Sequence, residues 1–514
     1  MNILRGIAAS CLLLSAVACR QTNRTDEAAS ITDTGFYHEQ YRLQAHFSPR
    51  EKWINDPNGL VYYKDTYHMF YQHYPDSTIW GPMHWGHATS KDLIHWQQQP
   101  IALFPDSLGY IFSGSVVVDE KNTSGFGTKD NPPMVAIFTH HDPKGEKTGT
   151  STFQNQSIAY SIDEGKTWTK YKRNPVLKNP GIKDFRDPKV CWYAPQNKWV
   201  MSLATLDRIT FYSSIDLKTW KKESEFGQKL GAHGGVWECP DLIPLKLNGK
   251  EYWVLLVSIN PGGPNKGSAT QYFVGEFDGS KFTPNNTQTR WIDYGPDDYA
   301  GVTWSNTGDR KIFLGWMGNW LYANQVPTIK WRNAMTIPRE LSLKMERNEI
   351  WLASKPVEEL DKITENTKKI DAAELAKQSD IFAIIKQQPK QFKLKFSTEE
   401  LKEYSVVLAN DAGEKLIVGY DIHNNGYYLN RTNAGQKDFN KEFASISYAP
   451  RIAAGKFADI ELVVDASSIE VFADGGLSNL TGVFFPSQPF THLSIANSGM
   501  AIKNLELKSL KSIW

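Results

Sequence analysis

The chain is predicted to be all-β, a five-bladed β-propeller followed by a C-terminal β-sandwich. Three observations predict it. A strand–turn–strand unit recurs five times before residue 345, helical periodicity is nearly absent from the first 340 residues, and strict period-two alternation appears after residue 381. The 514 residues exceed what one domain usually needs.

The N-terminus is read first as a targeting segment. Arg5 precedes a short apolar run, Ile7 to Val17, and then Ala16-Val17-Ala18-Cys19. A run of this length fits a signal peptide rather than a membrane span. Small residues directly before a cysteine resemble a bacterial lipoprotein cleavage site, with Cys19 as the lipidated residue, although Ala16 stands where leucine is usual. Residues 1–19 are therefore expected to be a signal and 20–38 a polar, flexible tether. The expected destination is the cell envelope or surface, with a lipid anchor as the one link to a membrane.

Residues 39–345 carry the repeat. Five apolar or aromatic runs read as strands: Tyr67 to Tyr71, Met134 to Phe138, Trp199 to Leu203, Tyr252 to Leu256 and Lys311 to Trp316. Each follows another strand and a polar turn. A third element, Ser90 to Trp96, Ser161 to Trp168 and Ser214 to Trp220, is a tight polar turn closed by a tryptophan that opens an outer strand. The fourth repeat has Phe277-Asp278-Gly279-Ser280-Lys281-Phe282 there. A four-stranded antiparallel sheet repeated radially makes a propeller.

Acidic motifs sit in matching phase in three repeats: Asp56 in Trp53-Ile54-Asn55-Asp56-Pro57-Asn58-Gly59, Asp187 in Phe185-Arg186-Asp187-Pro188, and Glu238 in Trp237-Glu238-Cys239-Pro240-Asp241. In a propeller the first strand of each blade lies nearest the axis, so the three carboxylates are expected to converge at one end of the channel. The nearby prolines hold the backbone extended. Clustered carboxylates serve acid/base and nucleophilic chemistry on sugars.

The texture changes after Arg339. A polar stretch, 346–380, is expected to be a linker, and 381–514 a β-sandwich in which the alternating Glu and Lys form the solvated face.

Composition excludes other functions. A formal charge of +1 leaves no basic excess for a nucleic-acid partner. Beyond the signal only Cys191 and Cys239 remain, too few for a disulfide framework or zinc site, and both are expected to be buried residues. His73, His84 and His87 have no metal-ligand spacing, and no metal or cofactor is expected. Most of the 17 Trp, 22 Tyr and 25 Phe are expected in the core.

These motifs, with Phe112-Ser113-Gly114-Ser115 and Ser468-Ile469-Glu470-Val471-Phe472-Ala473-Asp474, resemble the signatures of glycoside hydrolase family 32, the β-fructosidases, over the whole mature chain. The resemblance implies a retaining mechanism. Asp56 would be the nucleophile, Glu238 the acid/base and Asp187 the stabiliser of the oxocarbenium-like state, with carboxyls about 5–5.5 Å apart. It also implies substrate contacts from Asn55, Gln72, Trp80, Phe112, Ser113, Arg186 and Trp316. Segments such as Asn260-Pro261-Gly262-Gly263-Pro264 look most like exo-acting inulinases and levanases, so release of terminal fructose from levan or inulin, and from sucrose, is expected. An endo-levanase is the alternative. A non-catalytic fructan-binding lipoprotein is the reading from another class.

Overall fold

The structure is a computed structural model, described for residues 35–514. The expected cleavage site, Cys19 and most of the tether lie outside the described residues. Tyr37–Trp514 form one unit. Among the described residues no helix is long and apolar enough to cross a membrane.

Five antiparallel sheets form the propeller, and their first strands, Lys52–Tyr63, Tyr110–Val118, Phe185–Tyr193, Val236–Leu247 and Tyr299–Thr303, neighbour one another in a ring. The ring closes where Trp331–Arg332 pairs parallel with Lys52 and Trp53. This late segment stitches the end of the propeller to its first blade.

The repeated polar turn has a physical cause. Asp92, Asp163 and Asp216 each accept backbone N–H groups from the following turn, and Ser90, Ser161 and Ser214 each donate a hydroxyl to that same aspartate. The closing tryptophans donate their indole N–H back into the turn, to Leu93, Gly165 and Leu217 carbonyls. Three turns built alike satisfy the backbone groups a hairpin end leaves free. Between blades the apolar strands interlock, and Trp53, Trp85, Trp237, Trp304 and Trp316 are fully buried.

The sandwich packs a six-stranded sheet against a five-stranded one. Its core includes Leu394, Phe396, Val406, Leu429, Leu462 and Leu480.

Four expectations need correction. Glu349–Pro356 pairs with Arg339–Glu346 as the outer strand of blade five, so the blade passes residue 345. Thr364–Lys369 pairs with Lys503–Leu510 in the sandwich. The expected linker thus gives a strand to each domain; its polar residues reflect edge positions, where one side of the strand faces water. The end of the expected tether is also fixed, because Tyr37 stacks on Trp514 at 3.9 Å. Lastly, Glu470 does not face solvent. Its strand's outer face is covered by the propeller, and Glu470 is fully buried there.

That burial creates an ionic hub between the domains. Arg339 of blade five donates to Glu470 (3.0 Å), Asp293 (2.9 Å), Asp298 (3.0 Å) and Thr481 (2.6 Å). His46 faces Asp465 at 2.8 Å and Glu470 at 3.0 Å. Burial would lower the His46 pKa, but the two carboxylates overcome this and hold it at about 9.

Candidate active site

Every first strand slips register at the same end of the channel. The irregularities fall between Ile54 and Pro57, Ile111 and Gly114, Arg186 and Lys189, Glu238 and Asp241, and Tyr299 and Val302. A bulge inserts an unpaired residue, bends the strand and re-aims a side chain. Asp56, Phe112, Ser113, Asp187 and Cys239 all lie in these bulges. Asp187 and Cys239 adopt φ of +64° and +44°. Such left-handed positions cost a non-glycine residue roughly 1–3 kcal/mol and persist where the surroundings enforce them.

The bulges bring the three acids together at the base of a cavity of about 310 Å³. Asp56 accepts hydrogen bonds from Asn55 Nδ2 (2.9 Å) and Ser113 Oγ (2.7 Å). Asn55 is itself fixed by the Trp53 indole N–H at 2.7 Å. Cys239 links two acids: its backbone N–H donates to Asp187 Oδ2 at 3.1 Å, and its thiol lies 3.5 Å from Asp56 Oδ2 and 3.6 Å from Asp187 Oδ2. Arg186 holds the third, Glu238, donating Nε and a terminal nitrogen to its Oε1 (3.1 and 2.9 Å), while the other terminal nitrogen of Arg186 reaches Asp184 at 2.6 Å. Tyr299 donates its hydroxyl to Glu238 Oε2.

The electrostatics follow from burial. Burial pushes the Asp56 carboxyl above the usual range, Ser113 pulls it back, and the Glu238 charge pushes it up again. Burial holds Asp187 at about 7; Arg186 opposes this, and Glu238 and Asp56 reinforce it. Arg186 is held charged by Glu238, Asp187 and Asp184 despite its burial. Burial and the adjacent carboxylates raise the Cys239 thiol far above its ordinary value, so it is a neutral donor here and not a nucleophile.

The cavity is lined by Asn55, Gln72, Trp80, Phe112, Ser113 and Arg186 together with the acids. Gln72 donates to Asn58 at 2.6 Å, and Trp80 meets Phe112 edge-on. Trp316 is a correction. It is fully buried beneath Trp53 and Trp320, and Trp320 lines the cavity instead. Trp316 lies on the strand Ile312–Met317, which is buried throughout, whereas Trp320 follows it in the loop at the cavity mouth. Sequence reasoning also missed His141, Glu146, Gln154, Asp184 and Asn260, which line the cavity. No repeated motif marks them. The three histidines noted in sequence bond elsewhere: His73 to the Trp53 carbonyl, His84 to the Pro82 carbonyl, and His87 to His68.

Residues 46–356 match the glycosyl hydrolases family 32 N-terminal domain, and residues 357–511 match the family's C-terminal domain. The chain belongs to glycosyl hydrolases family 32. The boundary between the two matches falls at the end of the last propeller strand, Glu349–Pro356. A levanase of Bacillus subtilis is 45% identical over 95% of this chain and 73% of its own length. An extracellular exo-inulinase of Aspergillus niger is 38% identical over 95% of this chain and 97% of its own. The crystal structure of an exo-inulinase from Aspergillus awamori superposes with a TM-score of 0.83 at 36% identity, covering 93% of this chain and all of that one. A fructofuranosidase from Schwanniomyces occidentalis complexed with fructosylnystose gives 0.82 at 30% identity, covering 94% of this chain and all of its own. The family 32 architecture, a five-bladed propeller carrying a β-sandwich, is the fold observed.

Proposed function

We propose that this family 32 hydrolase is an exo-acting β-fructosidase. It releases terminal fructose from levan or inulin, and from sucrose, through a fructosyl–enzyme intermediate. The observation that carries the reading is the convergence of Asp56, Asp187 and Glu238 from three blades on one cavity, with Cys239 bridging Asp56 and Asp187 and Arg186 holding Glu238. The family relationship supports fructosyl groups as substrate, and the exo-inulinase relatives support exo-action.

The roles follow from the motifs and their contacts. Asp56 attacks the anomeric carbon while the bond to the leaving oxygen breaks, and Glu238 gives that oxygen a proton. Glu238 then takes a proton from water, which displaces Asp56 and frees fructose. Asn55 and Ser113 steady the Asp56 carboxylate through the charge changes. Asp187 accepts hydroxyl hydrogen bonds from the fructosyl ring, which tighten as positive charge develops. Arg186 orients Glu238. Asn55, Gln72, Trp80, Phe112 and Ser113 surround the terminal unit. The chemistry uses no metal or cofactor.

Export with a lipid anchor at Cys19 is part of the proposal. It rests on the N-terminal sequence and on the extracellular naming of the Aspergillus relatives. Product analysis on levan and inulin tests the reaction. Fructose as the sole early product is expected, and a ladder of oligosaccharides would replace this reading with endo-action.

A further inference from the structure

Beyond the three acids, the cavity holds a second, unassigned arrangement on blade two. Met134–His141 ends in His141, and the short helix Pro143–Lys147 follows, started by Asp142, whose side chain accepts the Lys144 N–H at 3.0 Å. His141 stacks flat on Phe112, with centroids 4.1 Å apart. Its Nε2 lies 3.1 Å from Glu146 Oε2, and its Nδ1 lies 3.3 Å from Gln154 Nε2.

The hydrogen-bond directions of this chain are determined. Gln154 Oε1 accepts the Phe185 backbone N–H at 2.8 Å, so the amide nitrogen faces His141. An amide nitrogen only donates, so His141 Nδ1 is the acceptor. Burial lowers the His141 pKa and keeps the ring neutral, Glu146 opposing this and the Arg186 charge adding to it. The one ring proton is therefore on Nε2 and is given to Glu146 Oε2. Glu146 stays an acceptor, with Oε2 engaged and Oε1 carrying no hydrogen bond among the described residues.

Exposure places this acceptor at the mouth. The Glu146 side chain is 54% exposed, against 20% for Glu238 and 13% for Arg186. We propose that Glu146 binds the sugar unit on the leaving side of the cleaved bond, its free Oε1 accepting hydroxyls from that ring. His141 and Gln154 are positioning residues that fix the carboxylate's orientation. The ligand class is an uncharged, hydroxyl-rich furanose within a fructan chain. The inference deepens the proposed function and rests on it.

The test compares a fructotriose with methyl β-fructofuranoside, which has no sugar on the leaving side. In Glu146→Ala the ratio of kcat/KM for the two is expected to fall about tenfold, mainly through KM for the triose, as for loss of one charged hydrogen bond. Glu146→Gln, with Oε2 or its replacement still near His141, is expected to fall less. An unchanged ratio in both variants, or an equal loss on both substrates, overturns the inference. Calorimetric binding of fructotriose in an Asp56→Ala background separates the two levels. There Glu146→Ala is expected to weaken binding by a similar factor, and unchanged affinity overturns the role of Glu146 whatever the wild type hydrolyses. Failure of the wild type to release fructose overturns the proposed function alone.

Discussion

Replacing Asp187 by asparagine is expected to stabilise the protein above neutral pH while disabling it. Burial, opposed by Arg186 and reinforced by Glu238 and Asp56, holds the Asp187 carboxyl at about 7, against about 3.9 in an unfolded chain. The folded state thus binds more protons than the unfolded state between these values. The native protein gains from this group below about pH 4, and that gain is lost as pH rises through 7. A rise of about three pH units, at about 1.4 kcal/mol each, makes the ionised form costly by about 4 kcal/mol at most. Unfolding entropy of about 2.1 cal/mol/K per residue gives about 1 kcal/mol/K for a chain of this size. The variant is therefore expected to melt up to about 4 °C higher than the wild type at pH 8, with little difference at pH 4. Asparagine retains an oxygen for the Cys239 backbone N–H, so the bulge is kept. Fructose release is expected to fall at least about a hundredfold, as for loss of one preorganised transition-state contact. Melting curves from pH 4 to pH 8 provide the assay. A difference between the proteins that does not grow with pH would refute the reasoning.

Three further outcomes are expected. Arg339→Met leaves Glu470, Asp293 and Asp298 buried without their cation, and a loss of about 3–5 kcal/mol is expected in denaturant unfolding; a loss below 1 kcal/mol would show that the hub is not binding the domains together. His46 contributes stability that is fully present below about pH 6.5 and is lost as pH rises through about 9, so His46→Gln is expected to flatten the fall in melting temperature between pH 7 and 10; an unchanged slope would contradict it. Burial holds the Cys191 thiol at about 12 and raises Cys239 well above its ordinary range. Cys239 is buried and is not expected to react with a thiol reagent at pH 8 until the protein unfolds, whereas Cys191 is partly exposed; rapid modification of Cys239 in the native protein would show the cavity floor to be open.

The repeat phase of Asp56, Asp187 and Glu238 was legible because a propeller turns equal sequence position into equal radial position. Their convergence needed no side-chain detail. The bulges that aim them were not legible, since a register slip of one residue leaves only a proline or a left-handed Asp187 as its mark. Trp316 and Trp320 could not be told apart by composition; four residues separate a buried strand from the loop at the mouth. Glu470 alternates with Ile469 and Val471 and reads as a solvent-facing residue. Only the partner surface of blade five, built by Arg339 far away in sequence, makes it an interior anion. His141 and Glu146 escaped notice for a similar reason. Their meaning lies in the Gln154 and Phe112 contacts, which chain order does not reveal.

The most direct test of the central claim is transfer of fructose to methanol. A fructosyl group held on Asp56 and attacked from the face that the leaving sugar vacated gives methyl β-fructofuranoside. The account predicts that anomer as the methanolysis product from levan or inulin with the wild type, and no product with Asp56→Ala. Formation of the α anomer, or undiminished transfer by Asp56→Ala, would contradict it.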